Sequence, residues 1–127
     1  MMNDWVQLTK NVTSSLRELR GGAPEVMKAF GGLAHAALQA NALDTKTKEL
    51  IALAIGVAVR CDDCIAFHAK AAVDQGASSA EIIETLGMAI YMGAGPSVMY
   101  AAHAIDACKQ FEDSKAQKEA AQAKAVE

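Results

Sequence analysis

Aromatic side chains are scarce in this chain, making up 5% of its 127 residues although 52% are hydrophobic. Alanine, leucine, isoleucine and methionine therefore have to do the packing. Small side chains let helices approach closely, but each helix pair then buries little area, so oligomerisation is expected to complete the core. Basic charge is not in excess either. With 12 Lys and Arg against 15 Asp and Glu the net charge is −3, which gives no electrostatic footprint for nucleic acid or an anionic membrane. No run approaches the roughly 18 consecutive apolar residues of a membrane span, and Met1-Met2-Asn3-Asp4-Trp5 lacks the basic and apolar parts of a secretory signal. A cytoplasmic protein is the expectation, in a compartment where paired cysteines serve redox or metal chemistry more often than structure. Strand-like alternation and any fixed-period repeat are also missing. What remains is an all-α chain of a length that suits one domain.

About six helices are expected. From Asp4 to Arg20 the residues Trp5, Leu8, Val12, Leu16 and Leu19 recur at three- and four-residue spacing, with Asp4 as N-cap. Gly21-Gly22-Ala23-Pro24 ends this helix, and Pro24 suits the first turn of a second, whose buried face reads as Met27, Phe30, Leu33, Ala34, Ala37 and Leu38. His35 on that helix reads as an ordinary, partly exposed histidine. After the loop Asn41-Ala42-Leu43-Asp44, capped by Asp44 or Thr45, a strongly apolar third helix carries Glu49 in its early turns and Leu50, Ile51, Leu53, Ile55 and Val57 beyond. Arg60 to Asp62 interrupt it. A fourth helix starts near Asp62 and ends at Gly76, a suitable C′ residue. Ser78-Ser79-Ala80-Glu81 matches a capping box and opens a fifth helix. Gly93-Ala94-Gly95-Pro96 is expected to break it, leaving a sixth from Ser97 to Phe111 with Val98, Met99, Ala102, Ile105 and Cys108 on one side. Met88, Met92 and Met99 read as core filler. Residues 1–111 thus form the helical domain, and 112–127 a polar tail that extends the last helix or frays.

The chemistry concentrates in Cys61-Asp62-Asp63-Cys64-Ile65-Ala66-Phe67-His68. Two thiols one helical turn apart, with an imidazole one turn further on, share one helix face if all three are helical. If the third and fourth helices pack antiparallel about Arg60, Glu49 faces the region from His68 to Ala72. Carboxylate, imidazole and thiol then stand in hydrogen-bonding order, the arrangement that activates a nucleophile through an oriented base. Other readings compete. Cys61 and Cys64 could be a buried structural pair. They could join His68 and either His103 or Cys108 around zinc, although C-x-x-C-x-x-x-H on one helix is not a standard structural zinc spacing. A thioredoxin fold needs strands around the motif, and none is read here. Cys108 itself reads as a buried small hydrophobe, His103 and Tyr100 as ordinary packing, and Asp62 and Asp63 as solvated residues of a helix start.

Glu49, eleven residues, then Cys61-x-x-Cys64-x-x-x-His68, together with Leu43-Asp44-x-x-x-x-Glu49-Leu50-Ile51-x-Leu53-Ala54 and Gly93-x-Gly95-Pro96-x-Val98-x-Tyr100, resembles the AhpD-like branch of the carboxymuconolactone decarboxylase superfamily. The likeness covers roughly residues 25 to 110. Asp63 stands where AhpD proteins often carry a histidine. The resemblance implies an all-helical homo-oligomer, trimeric or hexameric, with thiol-dependent peroxidase or disulfide reductase activity in antioxidant defence and no bound cofactor. Its implied partners are a peroxiredoxin and, as external dithiol reductant, a dihydrolipoyl protein. It also implies the catalytic roles: Cys64 as nucleophile, Cys61 as resolving thiol, His68 as base and Glu49 orienting His68. The alternatives are a decarboxylase-like lyase with incidental cysteines and a non-catalytic redox-sensing module.

Overall fold

A computed structural model describes residues 3–126; Met1, Met2 and Glu127 lie outside the described residues, and with them the first two residues of the signal argument and the last residue of the expected tail. All regular structure among the described residues is helical, in five elements: α1 (Trp5–Gly22), α2 (Pro24–Leu38), α3 (Thr45–Ala58), α4 (Asp62–Asp74) and α5 (Ser79–Val126). The helix starts follow from local chemistry. Asp4 accepts from the Gln7 amide at 3.0 Å and Asp44 from the Thr47 amide at 2.7 Å, satisfying N–H groups that a helix start leaves unpaired. Pro24 occupies the first turn of α2. Ser78 and Glu81 exchange the two bonds of a capping box, at 2.9 and 3.1 Å. Gly76 closes α4 at φ 83°, a conformation cheap only for glycine.

The core is built by α3, α4 and α5 packing on one another, with α1 laid across α4 and α5. Leu53, Val57, Ile65, Ala66, Ala69 and Ala104 are fully buried there. Alanine at so many inward positions is the close packing that the shortage of aromatics demands. Trp5 is the exception and pins α1. Its ring is fully buried, its indole N–H donates to Asp106 at 3.1 Å, and its backbone N–H donates to Gln110 at 2.8 Å.

One expectation is sharpened and two are corrected. The first concerns α5, where the expected break is present: two helices meet at Ala94, whose non-helical backbone (φ 60°, ψ −151°) interrupts the Ser79–Val126 run, so they follow one another without an intervening loop. Ala94 alone absorbs the break, and Pro96, which lacks a donor, falls where the resumed helix has no partner for one. The tail continues this helix through Val126, with residues 116–126 exposed. The second concerns α2, which touches only α1 and α3 and buries none of its residues. Phe30 and Leu33 of its expected inner face are 63% and 64% exposed. The third concerns α5's phase. Ser97, Ala101, Ala104, Ala107, Cys108 and Phe111 point inward, whereas Val98, Met99, Met88 and Met92 lie on the outer surface and are not core filler. The pattern of large residues marked an apolar face that this chain by itself does not cover. By length and composition alone α5 is long and apolar enough to cross a membrane, yet its inner face is part of the protein core.

Candidate active site

The site is the tip of the α3–α4 hairpin. Val59 and Arg60 cap α3 through bonds to Ile55 and Val57, and the Cys61 amide returns to the Gly56 carbonyl at 3.0 Å. Arg60 sits at φ 60°, the left-handed residue that reverses the chain. Cys61 is therefore the N-cap of α4 rather than part of it, which revises the picture of three helical residues in register. The two cysteines are joined as a disulfide, with Cα atoms 5.2 Å apart. The Cys64 amide donates to Cys61 Sγ at 3.2 Å, so this sulfur takes the place of the oxygen that usually caps a helix.

Close approach of the two helices is permitted by Gly56. A Cβ there would lie 3.1 Å from Cys64 Cβ and 3.6 Å from the α4 backbone. Its role was missed in the sequence, although Gly56 and Cys64 lie symmetrically about Arg60, and that equal spacing was the available signal.

One turn beyond Cys64, His68 turns its Nδ1 to Glu49 Oε2 at 2.7 Å, across 19 residues of sequence. Glu49 is 4% exposed, while the imidazole is half-buried. Because a carboxylate can only accept, Nδ1 carries the proton and the neutral ring offers Nε2 as the free base nitrogen. A buried carboxylate with one imidazole partner has little freedom to turn away, so the ring's orientation is set by α3. Asp62, Asp63 and Arg60 are exposed around the hairpin tip.

The residues weighed for zinc do not gather. Among the described residues no three His, Cys, Asp or Glu side chains are grouped as metal ligands. His103 packs edge-on against Trp5, with ring centroids 5.8 Å apart, and against Tyr100 at 5.7 Å. Cys108 is buried, and desolvation, with a smaller contribution from the Glu112 charge, pushes its thiol up to about 12. That sulfur is an inert core group. His35 lies on the exposed α2, 3.0 Å from Gln39.

Comparison with known proteins agrees with this architecture. The profile of the carboxymuconolactone decarboxylase family matches residues 24–107. An uncharacterised protein of Cupriavidus necator is 43% identical over 82 residues, covering 65% of this chain and 73% of that protein. An uncharacterised protein of Haemophilus influenzae is 44% identical over 72 residues, of which the matched region makes up 64% of its length and 57% of this chain. Among solved structures, a family member of Legionella pneumophila in its apo form superposes with a TM-score of 0.84 at 49% identity, covering 85% of this chain and 96% of that one. One from Thermotoga maritima, described with a suggested involvement in an antioxidative response, gives 0.78 at 30% identity, covering 87% and 95%. The all-helical fold, the matched profile and these neighbours agree, and the paired cysteines accord with the AhpD-like branch: the chain belongs to the carboxymuconolactone decarboxylase family.

Proposed function

We propose that the protein is a thiol-dependent oxidoreductase that reduces a peroxide or disulfide at the expense of an external dithiol, cycling Cys61 and Cys64 between dithiol and disulfide. The observation that carries this reading is the Cys61–Cys64 disulfide at the tip of a hairpin whose two arms are tied by Glu49 and His68. The antioxidative role suggested for the Thermotoga neighbour is of the same kind.

In the reductive half, a thiolate of the external dithiol attacks Cys64 Sγ and the Cys61–Cys64 bond breaks. Cys61 leaves as a thiolate, stabilised by the Cys64 N–H it already accepts and by the N-terminus of α4. The second thiol of the reductant then attacks its own sulfur in the mixed disulfide, and both cysteines are free. In the oxidative half, His68 Nε2 takes the Cys64 proton, with Glu49 holding the imidazolium. The thiolate attacks the terminal peroxide oxygen, releasing an alcohol and leaving a sulfenic acid. Cys61 displaces water from it and re-forms the disulfide. Two electrons pass from dithiol to peroxide in each cycle. A dihydrolipoyl protein is the proposed reductant and a peroxiredoxin a proposed partner, and no bound cofactor is needed in this cycle.

We also propose a cytoplasmic homo-oligomer, trimeric or hexameric. Val26, Phe30 and Leu33 on α2, Ile55 on α3 and Val59 at its C-cap, and Tyr91, Met92 and Met99 on α5 are each more than half exposed in the single chain. Scattered apolar residues are ordinary, but three helices each offering a row of them are a surface awaiting a like surface. Cys61, Cys64 and His68 line none of five prominent grooves on the chain, so a second copy is also the proposed source of the missing wall of the substrate site.

Thiol counting by alkylation and mass measurement tests the reading. Peroxide should convert the reduced protein to a form lacking two thiols, and dihydrolipoamide should restore both. Survival of both thiols under peroxide would rule the cycle out.

A further inference from the structure

A second candidate site lies between α1, α4 and the C-terminal part of α5, lined by none of the four residues of the proposed redox site. It is a groove of about 330 Å³. Val6, Phe67 and Phe111 form its apolar floor, and Lys10, Arg17, Lys70 and Lys118 contribute to its rim. Four of the chain's 12 cationic side chains thus face one cavity in a protein of net negative charge, and no carboxylate lines that cavity. Lys70 is paired with Asp74 at 2.7 Å. Lys10, Arg17 and Lys118 have no ion-pair partner among the described residues. Asp74 and Glu119 line a neighbouring groove, which shares Lys70 and Lys118 with this one.

Lys10 and Arg17 from α1 and Lys118 from α5 converge without a counter-charge, so they repel one another and leave room for an anion. An apolar floor of two phenyl rings beneath them is unsuited to a bare inorganic ion, because covering it with water wastes the apolar area. We propose that this groove binds a small amphipathic carboxylate, its apolar body over Phe67 and Phe111 and its carboxylate among Lys10, Arg17 and Lys118. The volume holds roughly eleven water volumes, which suits a body of about ten heavy atoms. Guanidinium and ammonium donors from separate elements favour a terminal carboxylate over a charge spread along a chain. Lys10, Arg17 and Lys118, which would hold the carboxylate, lie outside the 24–107 segment that the family profile matches, while Phe67 and Lys70 lie within it.

The test is a titration of the full chain, in its disulfide form, with sodium decanoate, followed by calorimetry and by amide NMR shifts. Decanol supplies the body without the charge, acetate and inorganic phosphate the charge without the body. Saturable binding of one decanoate per chain is expected, with shifts confined to residues 6–17, 67–70 and 111–118, and with the three controls at least about tenfold weaker. The double variant Arg17→Gln/Lys118→Gln changes two exposed side chains and should keep its melting temperature while weakening decanoate at least about tenfold. Absence of saturation, equal binding of decanol or phosphate, or an unaffected double variant would overturn the proposal. So would shifts on α2 and the outer face of α5, or dissociation of an oligomer by the double variant, which would make the groove a contact between copies.

Discussion

Replacing Glu49 by glutamine separates the proposed proton relay from the fold that carries it. Glutamine keeps the volume, and its carbonyl oxygen can still accept from His68 Nδ1, where the carboxylate now stands at 2.7 Å. What disappears is the charge. A hydrogen bond to a charged partner contributes about 1.5–3 kcal/mol against about 0.5–1.5 for a neutral one, so the imidazolium formed when His68 takes the Cys64 proton loses about 1.4 kcal/mol of support. That corresponds to about a tenfold loss in peroxide turnover. Stability should change little, because a buried charge is exchanged for a neutral amide with the same partner. Nor should the variant lose the Cys61–Cys64 disulfide, whose closure depends on the hairpin tip. The assay is peroxide consumption with dihydrolipoamide, beside a denaturation curve and a thiol count. Turnover within about twofold of wild type, with the fold intact, would show that Glu49 does not support the base.

Further outcomes follow from the same geometry. Ala94→Gly should stabilise the chain by about 1 kcal/mol in urea denaturation, because strain of about 1–3 kcal/mol at φ 60°, ψ −151° exceeds glycine's entropic cost of about 0.5–1 kcal/mol. Its neighbour should respond in the opposite sense: a Cβ on Gly93 would lie 1.9 Å from Ser97 Oγ and 2.9 Å from its Cβ, so Gly93→Ala should cost about 1–3 kcal/mol. Trp5→Ala should cost about 3–5 kcal/mol and release α1, read as faster amide exchange along residues 5–22. Native, dithiol-reduced protein should take two alkyl groups at pH 8 and three in denaturant, since burial holds the Cys108 thiol up to about 12. In acid, Asp44 is held below the usual carboxylate range by the Thr47 hydroxyl and amide, and Glu81 by Lys46, 2.7 Å away, and by Ser78. Depressed folded values mean that their support is present above the unfolded range and is lost as pH falls through the folded values, so the melting temperature should drop below about pH 4. Lys46→Met should lessen that drop.

The hairpin and its chemistry were legible in the sequence for a local reason. Caps at Asp44 and Ser78, the αL residue at Gly76 and the polar interruption at Arg60 are short-range signals, and once they place two antiparallel helices, Glu49 and His68 meet by counting residues. The faces of α2 and α5 were not legible in the same way. A stripe such as Phe30 and Leu33, or Met92 and Met99, reports that some apolar surface must be covered, but the same stripe serves a core or a contact between copies. The actual inward face of α5 is written in Ala101, Ala104 and Ala107, which carry little hydrophobic signal and are chosen for close approach. The break between Gly93 and Pro96 was legible, but its length was not, because one strained residue, Ala94, does the work expected of a loop. The groove framed by Lys10, Arg17, Lys70 and Lys118 depends on three helices converging, and no periodicity along the chain announces it.

The central claim is that electrons pass through the cysteine pair, and it is tested most directly by peroxide consumption driven by dihydrolipoamide, compared with thioredoxin and glutathione, for wild type and Cys64→Ser. Turnover by the wild type with the dithiol, and none by Cys64→Ser, is the predicted result. Equal consumption by Cys64→Ser, or none by the wild type with any of the three reductants, would contradict it.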